Sequence, residues 1–231
     1  MLHFAESPTE ERTSMTTLRA ILFDNDGTLV DTHDLLLASF RHATQEVLGH
    51  TLPDEVLMAK VGQPLAVQMR DFSDDPEVQD ALLRAYRAYN HDKHDSAVRL
   101  FPGVREGLER LQDAGFAMGV VTSKMSPLAR HGLEILGVAE YFSCLVGADS
   151  CEHHKPHPEP VELGAKLLGI DPSKCAFVGD SPFDMHAGRE AGCVTAAVLW
   201  GMFPETRLRS ESPAYVCATF DELVDALVTH R

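Results

Sequence analysis

The sequence predicts an α/β fold: a doubly wound, Rossmann-like parallel sheet with a small all-helical segment inserted after its first strand. Three observations lead there. Short apolar runs that stop at turn-forming or polar residues recur along the chain, and stretches of helical period lie between them. One long stretch, from 34 to 97, is helical in period throughout and holds no strand-like run.

The first run, Arg19-Ala-Ile-Leu-Phe23, is too short and too uniformly apolar for a half-exposed strand. It predicts a strand of a parallel sheet buried on both faces, ended by Asp24-Asn-Asp-Gly27. The same grammar recurs at Phe116–Val121 before Thr122-Ser123, at Cys144–Gly147 before Ala148-Asp149, and at Cys175–Val178 before Gly179-Asp-Ser181. A fifth strand is predicted over Thr195–Trp200. Apolar residues spaced by three and four predict helices at Val104–Ala114, Pro127–Leu136, Pro160–Leu168 and Met185–Ala191. Strand and helix alternating in this way require parallel pairing. The domain expectation is therefore an α/β core of residues 18–33 and 98–231 and a helical cap of 34–97. Residues 32–34 and 99–103 are its linkers, and residues 1–17 a mobile tail in which Met15 is an alternative start.

A chain of 231 residues can bury one substantial core plus a small accessory domain. It has no apolar run long enough to span a membrane, and its opening residues lack the apolar core of a secretory signal. The five cysteines form no C-x-x-C pair, which favours a reducing, cytoplasmic setting. A formal charge of −15 opposes a nucleic-acid partner and points to a small-molecule ligand. An oligomeric state is not encoded in these patterns.

Ligands of open parallel sheets bind beyond the carboxyl ends of the strands. Here those ends carry Asp24 and Asp26, Thr122 and Ser123, and Asp180 and Asp184. Four converging carboxylates repel one another unless a divalent cation joins them, and oxygen-only ligation points to Mg²⁺. Such a cation would also let an acidic chain hold phosphate. A carboxylate at Asp24 is a competent nucleophile toward phosphorus, and Asp26, two residues on, can reach the leaving oxygen as acid and then the attacking water as base. Gly27 permits the turn, and Thr28 can cap the next helix or loop. The Thr122 hydroxyl can donate to a phosphoryl oxygen, and Lys155 supplies an ammonium against charge on the equatorial oxygens.

Asp24-Asn-Asp-Gly-Thr28, Val121-Thr-Ser123, Lys155-Pro156 and Gly179-Asp-Ser-Pro-Phe-Asp184 resemble, in order and spacing, the four motifs of haloacid dehalogenase-like (HAD) phosphohydrolases. The resemblance covers about 18 to 200. It implies a nucleophile at Asp24, an acid/base at Asp26, and phosphate binding by Gly27, Thr122, Ser123 and Lys155. It also implies Mg²⁺ held by Asp24, the backbone carbonyl of Asp26 and Asp180, with Asp184 supporting, and it likens the insertion to the family's small cap. The segments Asp31–Phe40 and Tyr86–Asp95 resemble bacterial HAD-type inorganic pyrophosphatases, and the general pattern is next most similar to phosphoglycolate phosphatases. Leu36 stands where mutases of the β-phosphoglucomutase type carry histidine, and Asp26 where dehalogenases lack the second aspartate. A phosphohydrolase of small phosphorylated compounds is thus expected, with a non-catalytic module on the same fold as the remote alternative.

In the insertion, Arg84, Arg87, His91, Lys93 and His94 gather donors that suit the leaving phosphate of pyrophosphate, although a solvated helix face accounts for them equally well. The histidine runs at 91–94 and 153–157 lack the Cys/His spacing of zinc sites and are expected to be polar surface.

Overall fold

The structure, a computed structural model, describes residues 17–231. The tail expected over 1–17, with its alternative start, lies outside them but for Thr17. Six parallel strands form the central sheet in the order β5-β4-β1-β6-β7-β8. They are β1 (Ala20–Phe23), β4 (Ala117–Val121), β5 (Cys144–Val146), β6 (Cys175–Gly179), β7 (Val194–Val198) and β8 (Tyr215–Cys217). Starting at β1 in the middle, the chain builds β4 and β5 on one side and then crosses back to lay β6, β7 and β8 on the other. The carboxyl ends of β1, β4 and β6 therefore meet at the point where strand order reverses.

Alternation along β1 explains the two layers. Ile21 and Phe23 face one apolar cluster with Leu108 of α5 (Val104–Asp113) and Phe220 and Leu223 of α10 (Phe220–Val228). Ala20 and Leu22 face the other, with Val161 of α7 (Glu159–Leu168) and Ala187 of α8 (Pro182–Glu190). All four β1 side chains are fully buried, as the expectation of a two-face-buried strand requires. The remaining core helices are α6 (Ser126–Ile135) and α9 (Glu205–Arg209). The C-terminal α9, β8 and α10 extend the doubly wound pattern beyond the five predicted strands.

Between β1 and β4 the chain runs through α1 (His33–Leu48), α2 (Asp54–Leu57), α3 (Leu65–Met69) and α4 (Pro76–Ala97). These helices share an apolar cluster of their own around Phe40, Leu57, Met69 and Leu82. Asp75 caps α4 by accepting from the Glu77 amide, and Pro76 fits the first turn, where its missing N–H is not needed. Gly49 ends α1 in the left-handed conformation. The segments expected as linkers are partly built into elements, while Thr32 and residues 101–103 remain connections. α1 already begins at His33, while β2 (Val30–Asp31) and β3 (Arg99–Leu100) pair antiparallel beside it and bring the entry and exit of the insertion together.

Candidate active site

Asp24 comes directly after β1, and its amide donates to Val178 of β6 at 2.8 Å, which locks the strand end in place. The side chain is buried. Its Oδ1 accepts from Lys155 Nζ at 2.8 Å, and the same ammonium donates to Asp184 Oδ1 at 2.6 Å and to the Val121 carbonyl at 3.3 Å. Lys155, on the loop before α7, is thus a buried cation spanning the ends of β1, β4 and β6.

Asp180 and Asp184 flank the start of α8. Ser181 caps that helix by accepting from the Asp184 amide, while Asp184 Oδ2 accepts from the Ser181 amide at 3.0 Å and its hydroxyl at 2.5 Å. This reciprocal box, together with the positive end of the helix, fixes Asp184 in a fully buried position. Asp180 Oδ2 accepts from the Met202 amide at 2.7 Å and Oδ1 from the Thr28 hydroxyl at 3.4 Å. Oxygens of Asp24, Asp180 and Asp184 come within 4.8 Å of one another.

The charges leave a clear imprint. Burial first, then Asp184 and Asp26, push Asp24 up to about 7 against the pull of Lys155. Asp180 is driven well above the usual carboxylate range by burial and by the charges of Asp184 and Asp24. Burial would lower Lys155, but Asp184 and Asp24 outweigh it and hold the ammonium protonated. Asp26 behaves differently. Burial raises it, yet the Lys124 ammonium, donating to Oδ1 at 2.9 Å, outweighs that and keeps it below the usual range.

Several expectations change in detail. Gly27 adopts φ +85, and a Cβ there would sit 2.2 Å from Asp180 Oδ2. Its amide donates to Val30, so the glycine makes room for a carboxylate and turns the chain, and that N–H is committed within the turn. Thr28 bonds Asp180 and caps no helix. Thr122 is buried at the end of β4, where its oxygen accepts from the Lys124 amide at 3.2 Å and its own hydrogen is left free to donate. The Ser123 hydroxyl donates to Gly62 of the insertion at 2.6 Å and so joins insertion to core. Lys124 is a site residue that the sequence patterns do not single out; its position directly after Thr122-Ser123 is the available signal.

A cavity of about 880 Å³ opens between insertion and core, with Asp24, Asp26, Thr122, Lys124 and Asp180 among its lining residues. Of the expected donors in the insertion, Arg87 and His91 line it. Arg84 and Lys93 do not, and Lys93 pairs with Asp92. His94 is buried against α6, where a Cβ on Gly132 would meet its ring at 3.3 Å.

The model of the haloacid dehalogenase-like hydrolase family matches residues 21–198, most of the chain. The chain belongs to this family. Its sequence is 37% identical over 205 residues to pyrophosphatase PpaX of Bacillus velezensis, covering 89% of this chain and 94% of that protein. It is 35% identical over 210 residues to pyrophosphatase PpaX of Bacillus pumilus, covering 90% and 95%. Among solved structures, a predicted phosphoglycolate phosphatase from Haemophilus somnus superposes with a TM-score of 0.84 at 26% identity, over 92% of this chain and 99% of that one. The family and fold expected from the four motifs are those found, and the protein is a HAD-like hydrolase. Among the described residues, no helix of this hydrolase is long and apolar enough to cross a membrane.

Proposed function

We propose that this hydrolase is a cytoplasmic, Mg²⁺-dependent phosphohydrolase of small phosphorylated compounds, inorganic pyrophosphate first among them, working through an aspartyl-phosphate on Asp24. The observation that carries the reading is the buried cluster of Asp24, Asp180 and Asp184 around one ammonium at the strand ends. Pyrophosphate is favoured because relatives matching nearly the whole chain are named pyrophosphatases.

The donor set fits Mg²⁺. It is made of oxygens only, and the upward shifts of Asp24 and Asp180 are those of carboxylates short of positive charge. Asp24, Asp180 and the backbone carbonyl of Asp26 would hold the ion. Asp184 has both oxygens engaged, by Ser181 and Lys155, and would support from behind. When bound, the ion supplies charge neutralisation for the phosphoryl oxygens.

The residues then divide the work. Asp24 Oδ2, which carries no hydrogen bond among the described residues, attacks phosphorus as the bond to the leaving oxygen breaks. Asp26 gives a proton to a leaving group that needs one. In the second step it takes the proton of the water that attacks the aspartyl-phosphate, releasing phosphate and restoring Asp24. Lys124 beside Asp26 favours the carboxylate, the form the second step uses. Thr122 holds the phosphoryl oxygens, Lys155, whose three N–H groups go to Asp24, Asp184 and the Val121 carbonyl, offsets their charge, and the insertion covers them as a cap, latched by Ser123 to Gly62.

Intact-mass measurement of enzyme quenched in acid during pyrophosphate turnover tests the reading. One added phosphoryl group is expected with Mg²⁺, and none in the Asp24→Asn variant, which should also lose turnover. Undiminished phosphorylation or turnover by that variant would exclude Asp24 as the nucleophile.

A further inference from the structure

The cavity exceeds what the small substrates of the relatives would fill. At about 880 Å³ it is far larger than a pyrophosphate ion, which fills on the order of 150 Å³, roughly five times the ~30 Å³ share of one water molecule. A cavity of this size matches an organic ligand.

Its lining is also sorted. Asp24 and Asp26 mark the end where phosphorus would react, and Lys124, Arg87 and His91 place cationic or donor groups on the same cavity. The rest of the wall is largely apolar. Leu36 of α1 and Leu65 of α3 contribute from the insertion, and Met125, Leu128 of α6 and Phe203 from the core. These five side chains are only partly buried, and Met125 is 44% exposed, so apolar surface is left uncovered on both sides. A site for two phosphates alone gains nothing from such a wall.

We infer that the hydrolase also cleaves diphosphate monoesters, in which the far phosphate of a pyrophosphate unit carries an apolar organic group. This deepens the proposed function and rests on it. The terminal phosphoryl group is transferred to Asp24 with cleavage of the P–O–P bond, and the electron pair goes to the bridging oxygen, which departs as part of an organic monophosphate. Water then releases inorganic phosphate from Asp24. The departing monophosphate faces Lys124, Arg87 and His91, and its organic group lies along Leu36, Leu65 and Leu128.

The test is kcat/KM for methyl, butyl and hexyl diphosphate beside pyrophosphate, at matched free Mg²⁺. The bond cleaved is the same throughout, so the trend with length reports the wall alone. A gain of about two- to fourfold per methylene is expected from burial of apolar area. The trend should flatten in Leu65→Asn and Leu128→Asn, read as a slope within each variant so that a general loss of activity does not matter. A flat or falling series in the unaltered protein, with pyrophosphate still cleaved, overturns the inference and leaves the proposed function standing. A slope that persists in both variants overturns the assigned wall. Failure to cleave any of these compounds, pyrophosphate included, overturns both readings.

Discussion

Lys155 Nζ lies 2.8 Å from Asp24 Oδ1, with both side chains almost completely removed from solvent. The ammonium serves Asp184 as well, so one cation offsets two buried carboxylates. Removing one partner of such a group leaves uncompensated charge. Lys155→Met should therefore cost about 3–5 kcal/mol of folding stability in EDTA at pH 8, as measured by urea denaturation. Because the Lys155 pKa is raised, its contribution is complete below the unfolded value near 10.5 and is lost only as pH rises through the folded value. In the variant the orphaned Asp24 carboxylate takes up a proton in the folded state as pH falls, and the deficit should shrink towards pH 5. A loss under about 1 kcal/mol at pH 8 would mean that the triad does not hold the site together.

Asp180 shows the opposite balance. Its carboxyl is raised well above the unfolded value of 3.8, so the folded, metal-free protein binds a proton that the unfolded chain has released. Stability then falls as pH rises from about 4 through the folded value, and an uncharged side chain removes the penalty. Asp180→Asn should be more stable than the unaltered protein in EDTA at pH 8, by at least about 1 kcal/mol at ~1.4 kcal/mol per unit of pKa relieved. The advantage should fade towards pH 4. The same variant should need more Mg²⁺ for half-maximal turnover, since a hard-cation ligand is gone. An unchanged Mg²⁺ titration would remove Asp180 from the ligand set.

The parts of the site legible in the sequence are those set by local interactions. Asp24, Asp26, Asp180 and Asp184 stand at strand ends beside turn residues, and a short-range pattern shows them. Lys155 sits in a loop with no period, and only its place among the motifs singles it out. The pairing of Val30–Asp31 with Arg99–Leu100 is too short to show alternation. Ser123 and Gly62 lie 61 residues apart, so no local pattern links them. Phe220, Leu223, Val224 and Leu227 have helical spacing after Thr219, which caps α10, so that helix could have been read from sequence. Lys93 shares α4 with His91 but lies two residues on, far round the helix, so composition alone could not separate solvated donors from those lining the cavity.

Gly27→Ala tests whether the turn is built around Asp180. The residue is at φ +85, and the added Cβ would sit 2.2 Å from Asp180 Oδ2. Left-handed strain costs on the order of 1–3 kcal/mol before the carboxylate is displaced. The variant should lose about 2 kcal/mol or more in urea denaturation and require more Mg²⁺ for turnover. A loss of stability with an unchanged Mg²⁺ requirement would show that Asp180 does not depend on the glycine for its position.

Pyrophosphate should be a better substrate than phosphoglycolate, by at least tenfold in kcat/KM, or about 1.4 kcal/mol. Two features support this order. The Lys124 ammonium holds Asp26 as a carboxylate, below its usual range despite burial. A leaving phosphate is weakly basic and departs without a proton, whereas the alkoxide leaving from phosphoglycolate needs one, which Asp26 gives less readily while Lys124 holds it as the carboxylate. Arg87 and His91 also line the cavity, where a second phosphate can meet them. The comparison must be made at matched free Mg²⁺, because pyrophosphate chelates the ion and would otherwise change the metal available to the site. Lys124→Met is the internal control. Freed of its cation, Asp26 should bind a proton more readily, so the ratio of pyrophosphate to phosphoglycolate turnover should fall even if both rates drop. Phosphoglycolate winning by tenfold in the unaltered protein would reject the pyrophosphatase reading, and an unchanged ratio in Lys124→Met would reject the role assigned to that lysine.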